Sequence, residues 1–226
     1  ELQLTAPASW DDFFVVSSTL QKNHLDIGIP EDIKIFESLV LQNGGEFFAP
    51  GNVRTGFDSQ EALTAFTLWT SFYKDYSYPV SFDAYSRFRT GEMPVVIMPF
   101  NFYSTLTVAA PELRGKWAMA PLPGTVDAEG NLNRTESCTG TGALLLADTA
   151  PALKQTGFDF IKWWVSPSVQ AAYGNGVEAQ MGAVARYATA NREAFPLLPW
   201  TLEEQALLSA QWEAVQDVPV IPGNYD

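Results

Sequence analysis

Early in the chain, apolar positions recur at spacings of three and four, the pattern of helices with one buried face. Trp10, Phe13, Phe14, Ser17 and Leu20 share one side of a predicted helix that Ser9 or Thr5 can cap and that ends near Asn23. A second apolar run, residues 33–41, stops at Asn43-Gly44-Gly45, a helix-ending signal because glycine takes the left-handed conformation at low cost. Asp58-Ser59-Gln60-Glu61 has the form of a capping box. Behind it, Ala62, Ala65, Phe66, Trp69, Phe72, Tyr73 and Tyr76 make a wide aromatic stripe, which reads as core. Residues 76–79 close this helix and 83–89 make another short one.

The period then changes. After a turn at Thr90-Gly91-Glu92, residues 94–98 are almost uniformly apolar, which predicts a strand buried on both faces. Phe100, Phe102 and Tyr103 surround Asn101 where this strand hands over to a short helix at 104–110. In open α/β sheets, ligands collect beyond the carboxyl ends of strands. Residues 115–120 predict another short strand, and Pro121-Leu122-Pro123-Gly124 a stiff extended crossover.

Residues 127–133 form a polar hairpin turn whose oxygens alternate somewhat as in a calcium loop, but Cys138 stands where the acidic twelfth ligand belongs. Residues 143–147 predict a buried strand. Gly140-Thr141-Gly142 ahead of it is not a dinucleotide fingerprint, since position 145 is Leu and no glycine-led helix follows; the small residues let backbone approach either a ligand or a neighbouring strand. An amphipathic helix is predicted at 151–165 and a short one from Ser166-Pro167, then a mostly extended segment at 178–187 and a helical turn at 191–195. Thr201-Leu202-Glu203-Glu204 is a capping box for a last helix with Leu208, Trp212 and Val215 on its buried side.

With 226 residues the chain can hold one large domain or two small ones. A formal charge of −13 argues against nucleic acid, which needs clustered Lys and Arg, and against anionic lipid. The single cysteine, Cys138, allows no intrachain disulfide, and the single histidine, His24, argues against a zinc site or a His-based triad; no metal or cofactor is expected. No apolar run is long enough to span a bilayer. Nucleophile-elbow, Walker and His-Glu-x-x-His motifs are missing. Carboxylates such as Asp32, Asp83, Glu92 and Glu178 are plentiful, so a two-carboxylate glycoside hydrolase stays open as an alternative, as does a cell-surface interaction module without a small-molecule ligand.

Several phrases in fixed order carry a family resemblance. They are Pro7-Ala8-Ser9-Trp10-Asp11-Asp12, then Phe88-Arg89-Thr90-Gly91-Glu92 before the apolar strand and its aromatics, and Gly115-Lys116-Trp117 running to Pro121-Leu122-Pro123-Gly124. Farther on come residues 158–164, Ser166-Pro167-Ser168-Val169-Gln170 and Val220-Ile221-Pro222-Gly223. Together they resemble the family 1 extracellular solute-binding proteins of bacterial ABC importers, the maltose-binding-protein-like group, over nearly the whole chain. The resemblance implies an α/β, periplasmic-binding-protein-like fold of type II, mostly one lobe plus the returning segment of the other. It assigns residues 1–120 and 184–226 to a discontinuous C-terminal lobe and 121–183 to the crossover and part of the N-terminal lobe. The chain starts at Glu1 without an initiator Met or signal peptide, so it is expected to be a C-terminal portion lacking the first part of the N-terminal lobe, with 143–165 deprived of sheet neighbours.

The implied function is capture of a solute, a carbohydrate, between hinged lobes and its delivery to ABC permease subunits. The implied protein is a non-enzymatic monomer, extracellular or periplasmic, lipid-anchored through an upstream segment. A sugar site needs aromatic faces for pyranose C–H groups and side chains that bond hydroxyls. The candidates at loops and strand ends are Asn101, Phe102, Tyr103, Thr139, Thr141, Glu178, Gln180 and Arg186. Each has a plainer alternative: Asn101 as a helix cap, Phe102 as core, Arg186 as an ion-pair partner. The family's sugar-stacking Trp has Asn101 in its place, and its acidic-aromatic site falls near residues 30–34, where no aromatic stands.

Overall fold

The computed structural model describes residues 2–49, 54–138 and 140–218. They divide into two compact units. The first comprises Glu1–Pro99, Ala118–Thr139 and Leu207–Asp226, the second Phe100–Trp117 and Gly140–Ala206.

The first unit opens with α1 (Trp10–Lys22). Ser9 and Asp12 close a reciprocal cap: the Asp12 N–H donates to Ser9 Oγ at 3.1 Å, and the Ser9 N–H donates to the Asp12 carboxylate at 3.0 Å. The Ser9 hydroxyl bond and then the Ser9 N–H hold the Asp12 carboxyl below its ordinary range. Trp10, Phe13, Val16, Ser17 and Leu20 are buried on one side of α1. After β1 (Ile27–Gly28), α2 (Ile33–Gln42) is capped by Asp32 and buries Ile35, Phe36 and 38–42. α3 (Gln60–Lys74) starts from Ser59, whose Oγ accepts from the Ala62 N–H at 3.2 Å. The cap is therefore one residue later than the Asp58–Glu61 box implied, because Asp58 bonds Arg54 instead. Its stripe packs on α2, with Phe36 stacked on Trp69 at 5.4 Å, although Phe66 stays 48% exposed.

α4 (Ala84–Thr90), capped by Asp83, ends at Gly91, whose φ of 81° is the left-handed stop the sequence marks. β2 (Val95–Val96) then pairs in parallel with β1, Ile27 opposite Val95 and Gly28 opposite Val96. The expected five-residue buried strand is thus two half-buried residues. β2 has one ladder partner among the described residues, and Pro94 and Pro99 carry no N–H with which to extend it. Residues 115–120 form no strand either; they run irregularly, with no ladder beside them among the described residues.

A hairpin of β3 (Thr125–Val126) and β4 (Leu132–Asn133) follows. Its turn is built by the Asp127 carboxylate, which accepts from the Glu129 and Asn131 N–H groups at 3.0 and 2.7 Å. β5 (Glu136–Cys138) pairs in parallel with the last strand, β6 (Val215–Asp217). Val215 is 37% exposed in that strand, and Leu208 and Trp212 are half-buried, so the expected buried side of the last helix is not formed. One buried amide ties the unit together. Gln42 Oε1 accepts from Trp10 Nε1 at 2.8 Å and from Thr125 Oγ1 at 3.1 Å, while Nε2 donates to the Pro123 carbonyl at 3.1 Å.

The second unit holds α5 (Phe102–Ala109), α6 (Pro151–Trp164), α7 (Pro167–Met181) and the start of α8 (Leu202–Trp212). α7 is fifteen residues long, not short, and carries helix through Glu178 and Gln180, where an extended segment was expected. Nothing in Pro167–Met181 breaks the i to i+4 ladder until Gly182, at φ 80°. Asn191 holds a single turn, its Oδ1 accepting from the Glu193 and Ala194 N–H groups, before a 3-10 turn at Phe195–Leu197. Gln170, 5% exposed, donates to the Trp164 carbonyl and accepts from Tyr187 Oη at 2.8 Å and Thr189 Oγ1 at 3.0 Å. The strand expected at 143–147 is not formed, and Leu144 and Leu146 are 86% and 73% exposed. A strand needs neighbours for its N–H and C=O groups, and none lies along this segment among the described residues.

Candidate functional site

Each unit has its own cluster of functional character. In the first, β1 and β2 run parallel, and the chain leaving their carboxyl ends lines a concavity of about 370 Å³. Pro30 and Glu31 come from the end of β1, Met98 from the end of β2, and Val80, Ser81 and Phe82 from the segment before α4. Gly28 makes room for the floor. A Cβ there would lie 2.5 Å from Met93 Sδ and 2.8 Å from Phe82 Cε2, so a side chain on the strand would push the Phe82 ring away. Tyr73 Oη donates to the Pro30 carbonyl at 3.1 Å and steadies the rim. Burial, and then the Glu31 carboxylate, push the Tyr73 phenol up, so it stays a neutral donor.

This concavity includes the neighbourhood of residues 30–34, which lack an aromatic of their own. The ring comes from Phe82, some fifty residues along the chain by roughly counting from Glu31, and no local pattern links the two.

In the second unit the centre is Arg186. Its Nε donates to both Glu178 oxygens at 3.2 and 3.0 Å, Nη2 donates to Oε1 at 2.6 Å, and Nη1 donates to Tyr103 Oη at 2.8 Å. Tyr103 Oη in turn donates to Glu204 Oε1 at 2.8 Å. The guanidinium carbon stands 5.0 Å from the centre of the Trp200 ring, within cation–π range. Trp200, 6% exposed, is 5.1 Å from Tyr103 and 5.6 Å from Phe100, and Phe100 stacks on Tyr103 at 6.1 Å with ring planes 8° apart. Trp117 meets Tyr103 edge-on at 5.5 Å. Phe100 is the member with a free face, 42% exposed.

Electrostatics keeps each group in one state. Burial, then the Glu204 bond, push the Tyr103 phenol up against the opposing pull of Arg186. For Glu204, burial pushes upward but is outweighed by the Thr201 N–H, Tyr103 and Thr201 hydroxyls and Arg186, so the carboxyl is held below its ordinary range. The Glu178 bond raises Arg186 further. Fixed charges and aromatic faces of this kind suit holding a molecule. A carboxyl held low is a poor general acid.

Of the residues singled out in the sequence, Tyr103, Glu178 and Arg186 come together here. Asn101 precedes α5, exposed and making no side-chain cap bond; Phe102 is half-buried in its first turn. Gln180 is exposed near the end of α7 and Thr141 is exposed in the segment before α6. Thr139 lies outside the described residues. Trp200, Glu204, Trp117 and Phe100 were not among the candidates. Glu204 carried a signal, but one already explained by its capping role, which it fulfils: Thr201 N–H and Oγ1 both donate to Glu204 Oε2 at 2.9 Å. Among the described residues no three His, Cys, Asp or Glu side chains are grouped to hold a metal ion, and no helix is long and apolar enough to cross a membrane.

Parallel strands flanked by helices, with a concavity at the strands' carboxyl ends, define an α/β ligand-binding fold. Solved structures with the same fold include the sugar-binding protein MalE from the phytopathogen Xanthomonas citri, at TM-score 0.70 and 18% identity, covering 95% of this chain and 54% of that one. The cyclic α-maltosyl-1,6-maltose binding protein from Arthrobacter globiformis gives 0.69 and 17%, covering 96% and 55%. Maltose-bound T. maritima MalE3 gives 0.66 and 17%, covering 96% and 56%. The chain therefore spans about half the length of the solved structures it matches, and its fold is of their periplasmic-binding type. A family profile described as bacterial extracellular solute-binding protein matches residues 1–203. The chain belongs to that family. No curated protein matches it in sequence.

Proposed function

We propose that this chain is part of the solute-binding component of a bacterial ABC importer, that its solute is a carbohydrate, and that the solute is held between hinged lobes and handed unaltered to permease subunits. The observation that carries the reading is the concavity at the ends of β1 and β2, where the Phe82 ring and the Glu31 carboxylate line one opening on a chain of solute-binding family. A ring for C–H faces beside a carboxylate for hydroxyls is the pairing a sugar needs. The solved structures of like fold lend support, since those from X. citri and A. globiformis are described as binding sugar and a cyclic maltosyl-maltose. We assign residues 1–120 and 184–226 to the C-terminal lobe and 121–183 to the returning part of the other, with Asn101, Phe102, Tyr103, Thr139, Thr141, Glu178, Gln180 and Arg186 at or behind the ligand surface. The proposed location is outside the cytoplasmic membrane, through a lipid anchor.

The test is thermal unfolding of the full gene product against maltose, maltotriose, cyclodextrins and monosaccharides, with each sugar recovered and chromatographed afterwards. The reading expects one sugar class to raise the Tm by mass action and to come back intact. Turnover of nitrophenyl glycosides would replace it with a hydrolase, and no shift with any sugar would remove the carbohydrate assignment.

A further inference from the structure

The concavity at the ends of β1 and β2 has a one-sided chemistry. Among its described lining residues the side chains are apolar except for Glu31, whose carboxylate only accepts hydrogen bonds, and Ser81, whose hydroxyl is the one side-chain donor. A neutral sugar hydroxyl both donates and accepts, so a wall without amide or guanidinium donors serves only half of its bonding.

The cations of the helices that continue from these walls are engaged elsewhere. Lys34 Nζ, at the start of α2, donates to Glu37 at 2.8 Å. In α4, Arg87 pairs with Asp26 and, at 3.4 Å, with Glu92, while the Arg89 guanidinium carbon stands 5.9 Å from the centre of the Tyr85 ring. Acid, by contrast, is plentiful. Asp32 and Asp83 are spoken for as caps, accepting from the Lys34 and Ser86 N–H groups at 3.0 Å each. Glu31 is exposed, and no side chain among the described residues bonds its carboxylate. After burial, the Glu31 and Asp32 carboxylates both add to the upward push on the Tyr73 phenol, so their field reaches the rim. The formal charge of −13 draws cations towards the chain in any case.

The apolar members suit the same guest. The face of a ring such as Phe82 attracts a cation, and the Met98 thioether is polarizable. An ammonium donates three N–H bonds and accepts none, the complement of a wall that accepts.

We propose that this concavity selects a solute carrying a protonated amine, held by the Glu31 carboxylate against the Phe82 ring, and that the amine is the amino group of an amino sugar. The inference rests on the reading of this concavity as the solute site and adds a charge to the solute.

The experiment is calorimetric titration of the full gene product at pH 6, where the amines are protonated, with glucosamine and its β-1,4-linked dimer, their N-acetyl and hydroxyl counterparts, and spermidine. The amino sugars are expected to bind on the order of tenfold or more tighter than their neutral counterparts. That margin is expected to shrink as NaCl rises from about 0.05 to 0.5 M, and to vanish in Glu31→Gln with the Tm unchanged, since position 31 is exposed. Equal affinity for neutral and amino sugars overturns the proposal and leaves the carbohydrate reading intact. Spermidine binding where no sugar binds keeps the amine and removes the carbohydrate. A preference for amines that survives in Glu31→Gln overturns the assignment, as does an absence of heat with every amine.

Discussion

At the scale of single residues, burial decides which polar groups act and which are silent. Arg186 was read from sequence as either a ligand clamp or an ion-pair partner. Its contacts with Glu178 and Tyr103 make it the support that fixes the Tyr103 ring under Phe100. The residue types were legible; the convergence of positions 103, 178, 186, 200 and 204 was not, because it depends on long-range packing that no spacing encodes. Tyr78 offers a test of the same physics. Burial, opposed by the nearby Ser17 hydroxyl and reinforced by Tyr76, pushes its phenol up from 10.0 to about 12. Between those values the unfolded chain loses this proton while the folded chain keeps it, so the contribution is complete below pH 10 and declines as pH rises through the window. Tyr78→Phe has no such proton, and its urea midpoint is expected to fall less than wild type across the window, by the equivalent of about 2 kcal/mol. Parallel declines in the two proteins would show that the phenol ionises normally.

Elements whose bonds are internal were read well, and elements that need partners were not. α1, α2 and α4 start and stop at caps visible in the sequence, since a helix pairs its own backbone and its capping residues lie within a turn of it. Strands were over-assigned at 94–98, 115–120 and 143–147 because apolarity marks a place for a strand but supplies no neighbour. The helical end of α7 lies where the sequence predicts an extended segment; Gly182 ends the helix, whereas Gly174 within it gives room to Leu198 and Tyr187. Between elements, Gln42 is the joint to test. Gln42→Leu keeps the volume but leaves the Trp10 indole N–H and the Thr125 hydroxyl without their acceptor and the Pro123 carbonyl without its donor. The expected loss is about 1–3 kcal/mol in urea denaturation. Unchanged stability would mean that the α1–α2–crossover joint rests on apolar packing alone.

For the molecule as a whole, the order of weak phrases was more informative than any one motif, and it led to the family that the profile match establishes. The proposed solute surface was only partly legible. Asn101 and Tyr103 flag the start of α5, but Phe82 and Trp200 reach their clusters from distant stretches with no signal of their own. The central claim is that this protein grips a sugar without changing it, and calorimetric titration of the full gene product tests it most directly. The account predicts a saturable one-to-one heat with one class of sugar, recovered intact, weakened about tenfold in Asn101→Ala by loss of one hydrogen bond. An absence of heat with every sugar, or heat that continues after saturation as the sugar is consumed, contradicts it.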